Sequence, residues 1–526
     1  MAEIRLETRS RTPHSQVVNT LNLKEYGNKA LGCWTGKNIG GTLGAPFESK
    51  KDMQDVTFYT QDLFGKPEPN DDLDLQLVWL QALEDRGAKA LNERILAQYW
   101  VSYITAPWAE YGVCKANIRA GLLPPLSGSC NNAKWKNSNG AWIRSEIWAC
   151  LFPGNPDLAI RYSYMDSCVD HSGEGIYASM FVAALESAAF VVDDLDTLIK
   201  IGLSKIPEDC RVARSVKIVC DHFARGEDYK AARAAVVEDS KDLGWFQAPG
   251  NVAFVIIGLL YGRGDFGQAV CLATNCGDDT DCTAATAGAI MGILLGRSGI
   301  PEKWTQPIGE TIQTIAINAV PVKTPKTLSE LTNRVATAAM AAQAFNPDPL
   351  IVRLGDGPTH VDDGTIKALS DGEVAKGYWA KSPYELTFDL PYMAFSLIYE
   401  NGPEIVEGEA KKLSLIARHP LHPEGMLTLD WDLPDGWQMS PCRQQQLYNY
   451  RDLNLKLEIT LTPGKVDSAM VYLPLTIRLM GRGYPITVNV PFQCKGATGF
   501  WENYQWSEEC FERMRFEQLR ELVKVV

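Results

Sequence analysis

Hydrophobic residues in the first two thirds of the chain recur at the spacings of buried helices. Apolar residues lie three and four positions apart, or in long apolar runs, in LNERILAQYWVSYI, GIYASMFVAALESAAFVV, LDTLIKIGLSKI and VAFVIIGLLYG. Glycine, proline and asparagine separate these segments, as they commonly do between helices. The pattern predicts an all-α domain over residues 20–345, preceded by an N-terminal extension of residues 1–19.

After the proline-containing break at residues 346–349, the hydrophobic period becomes that of strands. Short segments alternate apolar and polar residues at the separation typical of a sandwich: ELTFDL, FSLIYE, KLSLIA, MLTLDWDL, LKLEITL, VYLPLTIRL and PITVNVPF. We therefore predict a β-sandwich accessory domain over residues 346–500. Helical spacing returns in the tail, which predicts a C-terminal helix over residues 501–526.

Charge and composition exclude several function classes. The 526-residue chain has a net charge of −13 and no lysine and arginine cluster interleaved with aromatic residues, so nucleic acid is not an expected partner. It has neither a signal-peptide pattern nor a run of about 18 apolar residues, so we expect a cytoplasmic protein without a membrane partner. Its 13 cysteines include no CxxC pair, which argues against a disulfide framework or a structural zinc site. These features leave the oligomeric state open.

Two acidic clusters stand at the starts of predicted helices. The first is PNDDLDLQLVWLQALED, from residue 69, and the second is CGDDTDCTAATAGAIMG, from residue 276. One interpretation is charge complementation of the helix dipole, which contributes roughly 0.3 to 1 kcal/mol per acidic residue. The other is that two facing helix starts supply oxygen ligands to one or two hard divalent cations, Mg²⁺ or Mn²⁺. The alanine and glycine residues after the second cluster predict close packing against a neighbouring helix.

A polar segment rich in asparagine and tryptophan, residues 124–154, separates the two clusters. Amide groups and tryptophan faces suit hydroxyl recognition and stacking on a sugar or base. The alternative is an ordinary loop with its tryptophans in the core, followed by a structural histidine. The candidate substrate-binding residues of this segment and of the helix start after it are Asn131, Asn132, Trp135, Asn139, Arg144, Glu146, His171 and Glu174.

Four motifs resemble those of the ADP-ribosylglycohydrolase family. They are GCWTGKNIGGTLGAPFE (32–48), NDDLDLQ (70–76), GDDTDC (277–282) and, more weakly, DHSGEGIYASMFVAAL (170–185). Their order and spacing agree with the family over roughly residues 25–300. The resemblance implies an all-α fold that binds two magnesium ions and hydrolyses the bond to an anomeric ribose carbon.

The resemblance also implies roles for individual residues. The implied metal ligands are Asp71, Asp72, Asp279, Asp281, Asn70 and Thr280, and the implied catalytic residues are Glu48, Asp72 and Asp279. The chain departs from the family at Asn70 and Cys282, where the family has threonine ligands, and at Gly41, where it has an aspartate. Asp278 replaces a glycine, so we expect it to cap a helix or support the site. The cofactor prediction is one or two Mg²⁺ or Mn²⁺ ions.

Three functions are compatible with these features. The first is a metal-dependent hydrolase that cleaves a glycosidic bond at an anomeric carbon in an ADP-ribosylated or other small-molecule substrate. The second keeps this chemistry but acts on an oligosaccharide or another glycoside, which the β-sandwich and the tryptophans favour. The third is a non-enzymatic structural or binding protein, since this fold also hosts crystallins. The retained aspartates favour an enzyme.

Overall fold

The computed structural model describes residues 19–346, 350–390, 393–418, 425–449 and 455–496. Nearly all of the predicted N-terminal extension and the whole predicted C-terminal helix, residues 501–526, lie outside the described residues. Within the described ranges, no helix has both the length and the apolar character that crossing a membrane requires.

The larger part of the fold is helical, as predicted. Its apolar side chains form one continuous core in which Trp34, Trp79, Trp100 and Trp148 are fully buried. Short 3₁₀ turns lie at Ala45–Phe47, Ala88–Ala90, Trp142–Arg144 and Arg297–Gly299. The helices are α1 (Leu23–Gly44), α2 (Asp71–Arg86), α3 (Glu93–Tyr103), α4 (Ala109–Arg119), α5 (Leu126–Ser129), α6 (Glu146–Leu151), α7 (Pro156–Ser167), α8 (Glu174–Ala189), α9 (Leu195–Ser204), α10 (Arg211–Ala224), α11 (Tyr229–Asp239), α12 (Ala248–Gly262), α13 (Phe266–Asn275), α14 (Thr280–Leu295), α15 (Glu302–Thr305), α16 (Leu328–Phe345), α17 (Asp363–Ala368) and α18 (Glu373–Trp379).

Ten of the described strands follow α18 and confirm the β-rich half of the predicted fold class. The strands are β1 (Thr20–Asn22), β2 (Arg353–Gly355), β3 (Glu385–Leu390), β4 (Met393–Tyr399), β5 (Glu404–Ile405), β6 (Lys411–Arg418), β7 (Gly425–Trp431), β8 (Gln438–Ser440), β9 (Gln444–Asn449), β10 (Leu455–Thr462), β11 (Met470–Leu479) and β12 (Ile486–Cys494). Two five-stranded sheets have the orders β3-β4-β6-β10-β8 and β5-β12-β11-β7-β9. A second apolar core joins the two sheets, because residues that alternate along each strand, such as Leu415 and Leu475, are buried together.

The helical and sheet-forming parts of the chain share contacts across the predicted boundary. Helices α17 and α18 lie within the range predicted as sandwich, and Ala375 of α18 belongs to the helical core. Strands β1 and β2 pair in parallel, while Leu122 and Leu126 of the helical half belong to the core of the sandwich. The division at residues 345 and 346 stays a prediction.

Helices α1 and α14 pack backbone to backbone in opposite directions. Glycines recur every four residues on one face of α1, at positions 32, 36, 40 and 44. A Cβ atom at any of them would overlap a carbonyl oxygen of α14, which belongs in turn to Gly292, Gly288, Ala284 and Thr280. Small residues on α14 complete this contact, so the packing that the alanine and glycine pattern predicted is present.

We expect Gly36→Ala to destabilise the protein, because the new methyl group would meet the backbone of Gly288 and overpacking costs roughly 1 to 3 kcal/mol or more. Gly27→Ala is the matched control. Gly27 lies in the same helix, and a Cβ atom there would have no neighbour within 4 Å. This control should be neutral, or stabilising by up to about 1 kcal/mol. Thermal unfolding of both variants checks the prediction, and equal melting temperatures would contradict it.

Candidate metal centre

The first turn of α2 carries Asp71, Asp72 and Asp74, and Asp74 faces away from the other two. Asn70 caps the helix by accepting a hydrogen bond from the backbone N–H of Asp72 at 2.8 Å, and Asp72 is fully buried. Asp74 faces another way, because its Oδ2 accepts hydrogen bonds from the backbone N–H groups of Ile315 (2.6 Å) and Ala316 (2.7 Å). Asp74 therefore holds the loop before α16 in place.

The loop before α14 has a left-handed backbone at Gly277 (φ 80°) and Asp278 (φ 68°). Gly277 is required there, because a Cβ atom would lie within 2.6 Å of the carbonyl oxygens of Lys50 and Asp52. The Asp278 side chain accepts a hydrogen bond from the backbone N–H of Phe246 at 3.2 Å. Its own backbone N–H donates to Lys50 O at 2.8 Å. Asp278 thus joins this loop to the segment that follows Glu48.

Carboxylates from these two helix starts and from Glu48 form two adjacent groups. In the first group, ligand atoms of Glu48, Asp279 and Asp281 lie within 4.8 Å of one another. In the second group, the same limit holds for Asp72, Asp281 and Cys282. Asp281 belongs to both groups, so the site contains two neighbouring positions with one shared carboxylate.

Neutral groups orient the carboxylates of the site. Asp281 Oδ1 is buried and has no hydrogen-bond partner, which leaves this oxygen available as a ligand. The orienting hydrogen bonds run from Tyr111 Oη to Asp71 (2.8 Å), from Asn139 Nδ2 to Asp279 (2.6 Å), from Asn70 Nδ2 to Asp281 (3.3 Å) and from Cys282 Sγ to Asp72 (3.3 Å).

Mutual repulsion, together with the burial of Asp72, Asp279 and Asp281, favours protonation of these acids when no cation is bound, and Glu48 lies at the exposed edge of the group. Desolvation, followed by the charges of Asp71 and Asp72, raises the pKa of Glu48 to about 7. Desolvation, followed by the charge of Glu48, raises the pKa of Asp281 to about 8. The pKa values of Asp72 and Asp279 also lie well above the usual range because both groups are buried.

Lys37 compensates part of the negative charge on one side of the site. Its Nζ lies 2.7 Å from Glu146 Oε1 and 3.4 Å from Asp72 Oδ2. Although burial opposes its charge, Glu146 and Asp72 raise the pKa of Lys37 above the usual range. Gln76 donates to the other oxygen of Glu146 at 2.8 Å, so Glu146 belongs to a buried network behind the site.

The donor set fits a hard divalent cation, since it is dominated by carboxylate oxygens and one of these is an orphaned buried atom. The residues able to hold such a cation are Glu48, Asp72, Asp279 and Asp281. Thr280 Oγ1 donates to Gly44 O at 2.8 Å, so its hydroxyl serves the contact between α1 and α14. The ligand role implied for Thr280 stays a prediction.

The predicted substrate-binding residues are spread over several environments. Asn139 contacts the acidic site through Asp279, Glu146 contacts it through Lys37, and Trp135 is half-buried with Lys134 Nζ 4.5 Å from its ring. The others bond to protein groups: Asn131 to Asn117 and Gln493, Asn132 to the carbonyls of Gly128 and Asp170, Arg144 to Asp166 and Asp170, His171 to Asp170 and Ser138, and Glu174 to the backbone N–H groups of Arg211 and Val212. Their predicted substrate contacts stay predictions.

Sequence reasoning missed three residues that shape the site, which are Tyr111, Lys37 and Arg233. Tyr111 reaches Asp71 from α4, a contact that no local pattern indicates. Lys37 is the charged residue of a glycine-rich helix face, which is a signal that could have been used. Arg233 of α11 donates through Nε to Cys276 O at 3.1 Å and through Nη2 to Lys51 O, so it ties together the two loops that carry the acids.

The chain is similar to several known proteins. The family model described as ADP-ribosylglycohydrolase matches residues 22–343. Over 59 residues, 11% of this chain, the sequence is 39% identical to the ADP-ribosylarginine hydrolase Tri1 of Pseudomonas putida (strain GB-1). Over 40 residues, 8% of this chain, it is 52% identical to the protein of the same name from Serratia proteamaculans (strain 568). These matches span 16% and 11% of the two relatives' lengths.

A solved chain described as an ADP-ribosylglycohydrolase-related protein complex is also similar, with 19% identity and a TM-score of 0.43. The similarity covers 61% of this chain and 99% of that chain. The family model matches more than half of the 526 residues, over the segment that carries both acidic clusters. This chain therefore belongs to the ADP-ribosylglycohydrolase family.

Proposed function

We propose that this protein is a divalent-cation-dependent hydrolase that cleaves an ADP-ribosyl glycosidic bond. The observation that carries the proposal is the buried carboxylate of Asp281, which is shared by two groups of ligand atoms and keeps one oxygen without a partner. Several desolvated acids this close together are costly unless a cation lies between them. Mg²⁺ or Mn²⁺ suits such oxygen ligands.

The residues around the site have separable roles in this proposal. A cation held by Asp279 and Asp281 would bind ribose hydroxyls and stabilise charge at the anomeric centre. Glu48 would accept a proton from the attacking water through the carboxylate oxygen that does not face the cation. Asn139 fixes the orientation of Asp279 through its 2.6 Å hydrogen bond.

A cavity beside the acidic loop supports a substrate that carries phosphate groups. This cavity of about 110 Å³ is bordered by Asp278 and by the cationic side chains of Lys51, Arg233 and Lys241. Phe254 contributes to its apolar wall. Lys241 is paired with Glu238, Lys51 lies over Trp245, and Arg233 donates to two backbone carbonyls. Their positive charges still attract phosphate oxygens, whereas a neutral glycoside offers no charge to match them. The cavity thus favours an ADP-ribosyl compound over a neutral oligosaccharide.

The alternative of an oligosaccharide substrate has less support from the asparagine-rich segment than the sequence suggested. Asn131 and Asn132 bond to protein groups, and Lys134 lies over Trp135. The non-enzymatic alternative leaves the orphaned oxygen of Asp281 unexplained. The names of the two bacterial relatives make ADP-ribosylarginine the first substrate to test.

We expect Mn²⁺ or Mg²⁺ to raise the melting temperature of the protein and to support hydrolysis of ADP-ribosylarginine. A ligand that binds the folded state alone stabilises it by about 2.7 kcal/mol at 100 times its dissociation constant. Asp281→Asn should remove both effects. Asp278→Asn is the matched control, because it keeps the acceptor for Phe246 and should preserve both. Hydrolysis at full rate in Asp281→Asn, or in excess chelator, would overturn the proposal.

The stabilisation by metal should grow as the pH rises from 5 to 8. The pKa values of Glu48 (about 7) and Asp281 (about 8) in the folded protein exceed those of about 4 in unfolded chains. The folded metal-free protein therefore binds more protons than the unfolded chain in this range, so this site loses stability with rising pH. A bound cation removes that penalty. Melting temperatures measured with and without Mn²⁺ across this range test the prediction, which a constant or shrinking difference would contradict.

The cationic cavity predicts a substrate-dependent effect of charge reversal. The double variant Lys51→Glu/Lys241→Glu should raise KM for ADP-ribosyl substrates by about 10-fold, the equivalent of about 1.4 kcal/mol, with kcat little changed. The double variant Lys89→Glu/Lys230→Glu is the control for net charge, since neither of these exposed residues borders the cavity. Steady-state kinetics with ADP-ribosylarginine decides, and equal KM values in the two variants would argue against phosphate recognition here.

A further inference from the structure

Cys282 lies in the second group of ligand atoms, at the position where the resemblance implies a threonine. Its Sγ atom is 3.3 Å from Asp72 Oδ1, and sulfur and carboxylate atoms of Asp72, Asp281 and Cys282 lie within 4.8 Å of one another. A tetrahedral zinc ion with metal–sulfur and metal–oxygen distances of about 2.3 and 2.1 Å separates its ligand atoms by about 3.6 Å. The three side chains therefore have the spacing of ligands to one ion.

Nearby hydroxyl groups are engaged with the backbone, whereas the Cys282 thiol contacts a carboxylate of the site. Thr280 Oγ1 donates to Gly44 O at 2.8 Å and Thr283 Oγ1 donates to Thr280 O at 3.3 Å, so both hydroxyls are directed at backbone carbonyls. Asp281 is only 7% exposed, and its buried Oδ1 atom has no hydrogen-bond partner. A buried carboxylate oxygen without a partner, on a residue of this group, is a second observation that favours a cation here.

The two positions of the site differ in chemical softness. Glu48, Asp279 and Asp281 offer only oxygen, which suits Mg²⁺ or Mn²⁺. Asp72, Asp281 and Cys282 offer two carboxylates and one sulfur, a set that suits zinc and related thiophilic cations far better than magnesium. The two positions therefore call for different metals.

We propose that Asp72, Asp281 and Cys282 form a site selective for a thiophilic divalent cation of the zinc class, beside an all-oxygen position for Mg²⁺ or Mn²⁺. The inference rests on the proposed function to the extent that both assume a metal centre. When the cation binds, the Cys282 S–H bond breaks, its proton passes to the buffer, and a metal–sulfur bond forms. Asp72, Asp281 and the thiolate would fill three positions of a tetrahedron, and water would fill the fourth.

Cobalt substitution tests the site without relying on activity. The metal-free full-length protein is titrated with Co²⁺, and a near-ultraviolet sulfur-to-cobalt charge-transfer band is expected to appear. The band should disappear in Cys282→Thr and in Cys282→Ser. Zn²⁺ should displace the bound Co²⁺, and Mg²⁺ at the same concentration should not. Zinc affinity should fall in both variants by at least the roughly 10- to 100-fold seen when mere hydrogen-bonding partners of metal ligands are removed.

Two other cysteines provide matched controls. Cys276 is buried six residues away, and its thiol donates to Leu272 O at 3.3 Å, while Cys442 is exposed. Cys276→Ser and Cys442→Ser should both retain the band, and its loss in either variant instead of in Cys282→Thr would overturn the assignment.

The outcomes separate the two proposals. If Co²⁺ binds by elemental analysis but gives no sulfur band, or if Cys282→Thr leaves zinc affinity unchanged, the thiol is not a ligand and this inference fails while the proposed function stands. If Mg²⁺, Mn²⁺, Co²⁺ and Zn²⁺ all fail to bind, the proposed metal centre fails as well.

Discussion

The backbone contact between α1 and α14 is the constraint on which the acidic site depends. Glycines on α1 meet small residues of α14 at four successive levels, with no side chain between the helices. The contact ends where Thr280 donates to Gly44 O. Thr280 follows Asp279 by one residue, and Gly44 precedes Glu48 by four. Because the helices are antiparallel, the C-terminal end of α1 and the N-terminal end of α14 meet there, and their acids converge. A bulkier interface would separate them.

Converging acids need compensation, and the magnitudes show that the chain alone supplies too little. Helix dipoles at the starts of α2 and α14 contribute roughly 0.3 to 1 kcal/mol per acid, while desolvation of a carboxylate costs several kcal/mol. Lys37 is engaged by Glu146 and Asp72, and the remaining donors to Asp279 and Asp281 are neutral amides. Charge complementation of helix dipoles, the simpler interpretation of the acidic clusters, therefore does not account for Asp279 and Asp281.

The sequence predicted the parts of this arrangement that repeat along the chain, and it failed where direction in space matters. Periodicity located the helical and β-rich halves, and small residues predicted the close packing of α14. Composition could not show that Asp74 turns to the backbone of Ala316 while Asp72 turns inward, since both lie in the same helical turn. Nor could it show that the Asn132 amide donates to the carbonyls of Gly128 and Asp170, because Asp170 is distant in sequence.

Two of the departures from the family motifs contact carboxylates of the site. Asn70 donates to Asp281 and Cys282 donates to Asp72. A Cβ atom at Gly41 would lie 2.5 Å from Asn70 Nδ2, so a side chain at position 41 would require the Asn70 amide to move. Cys282 belongs to one group of ligand atoms, whereas Asn70 acts on Asp281, which both groups share. The thiol therefore changes the donor set of one position, while the asparagine orients the carboxylate that links the two.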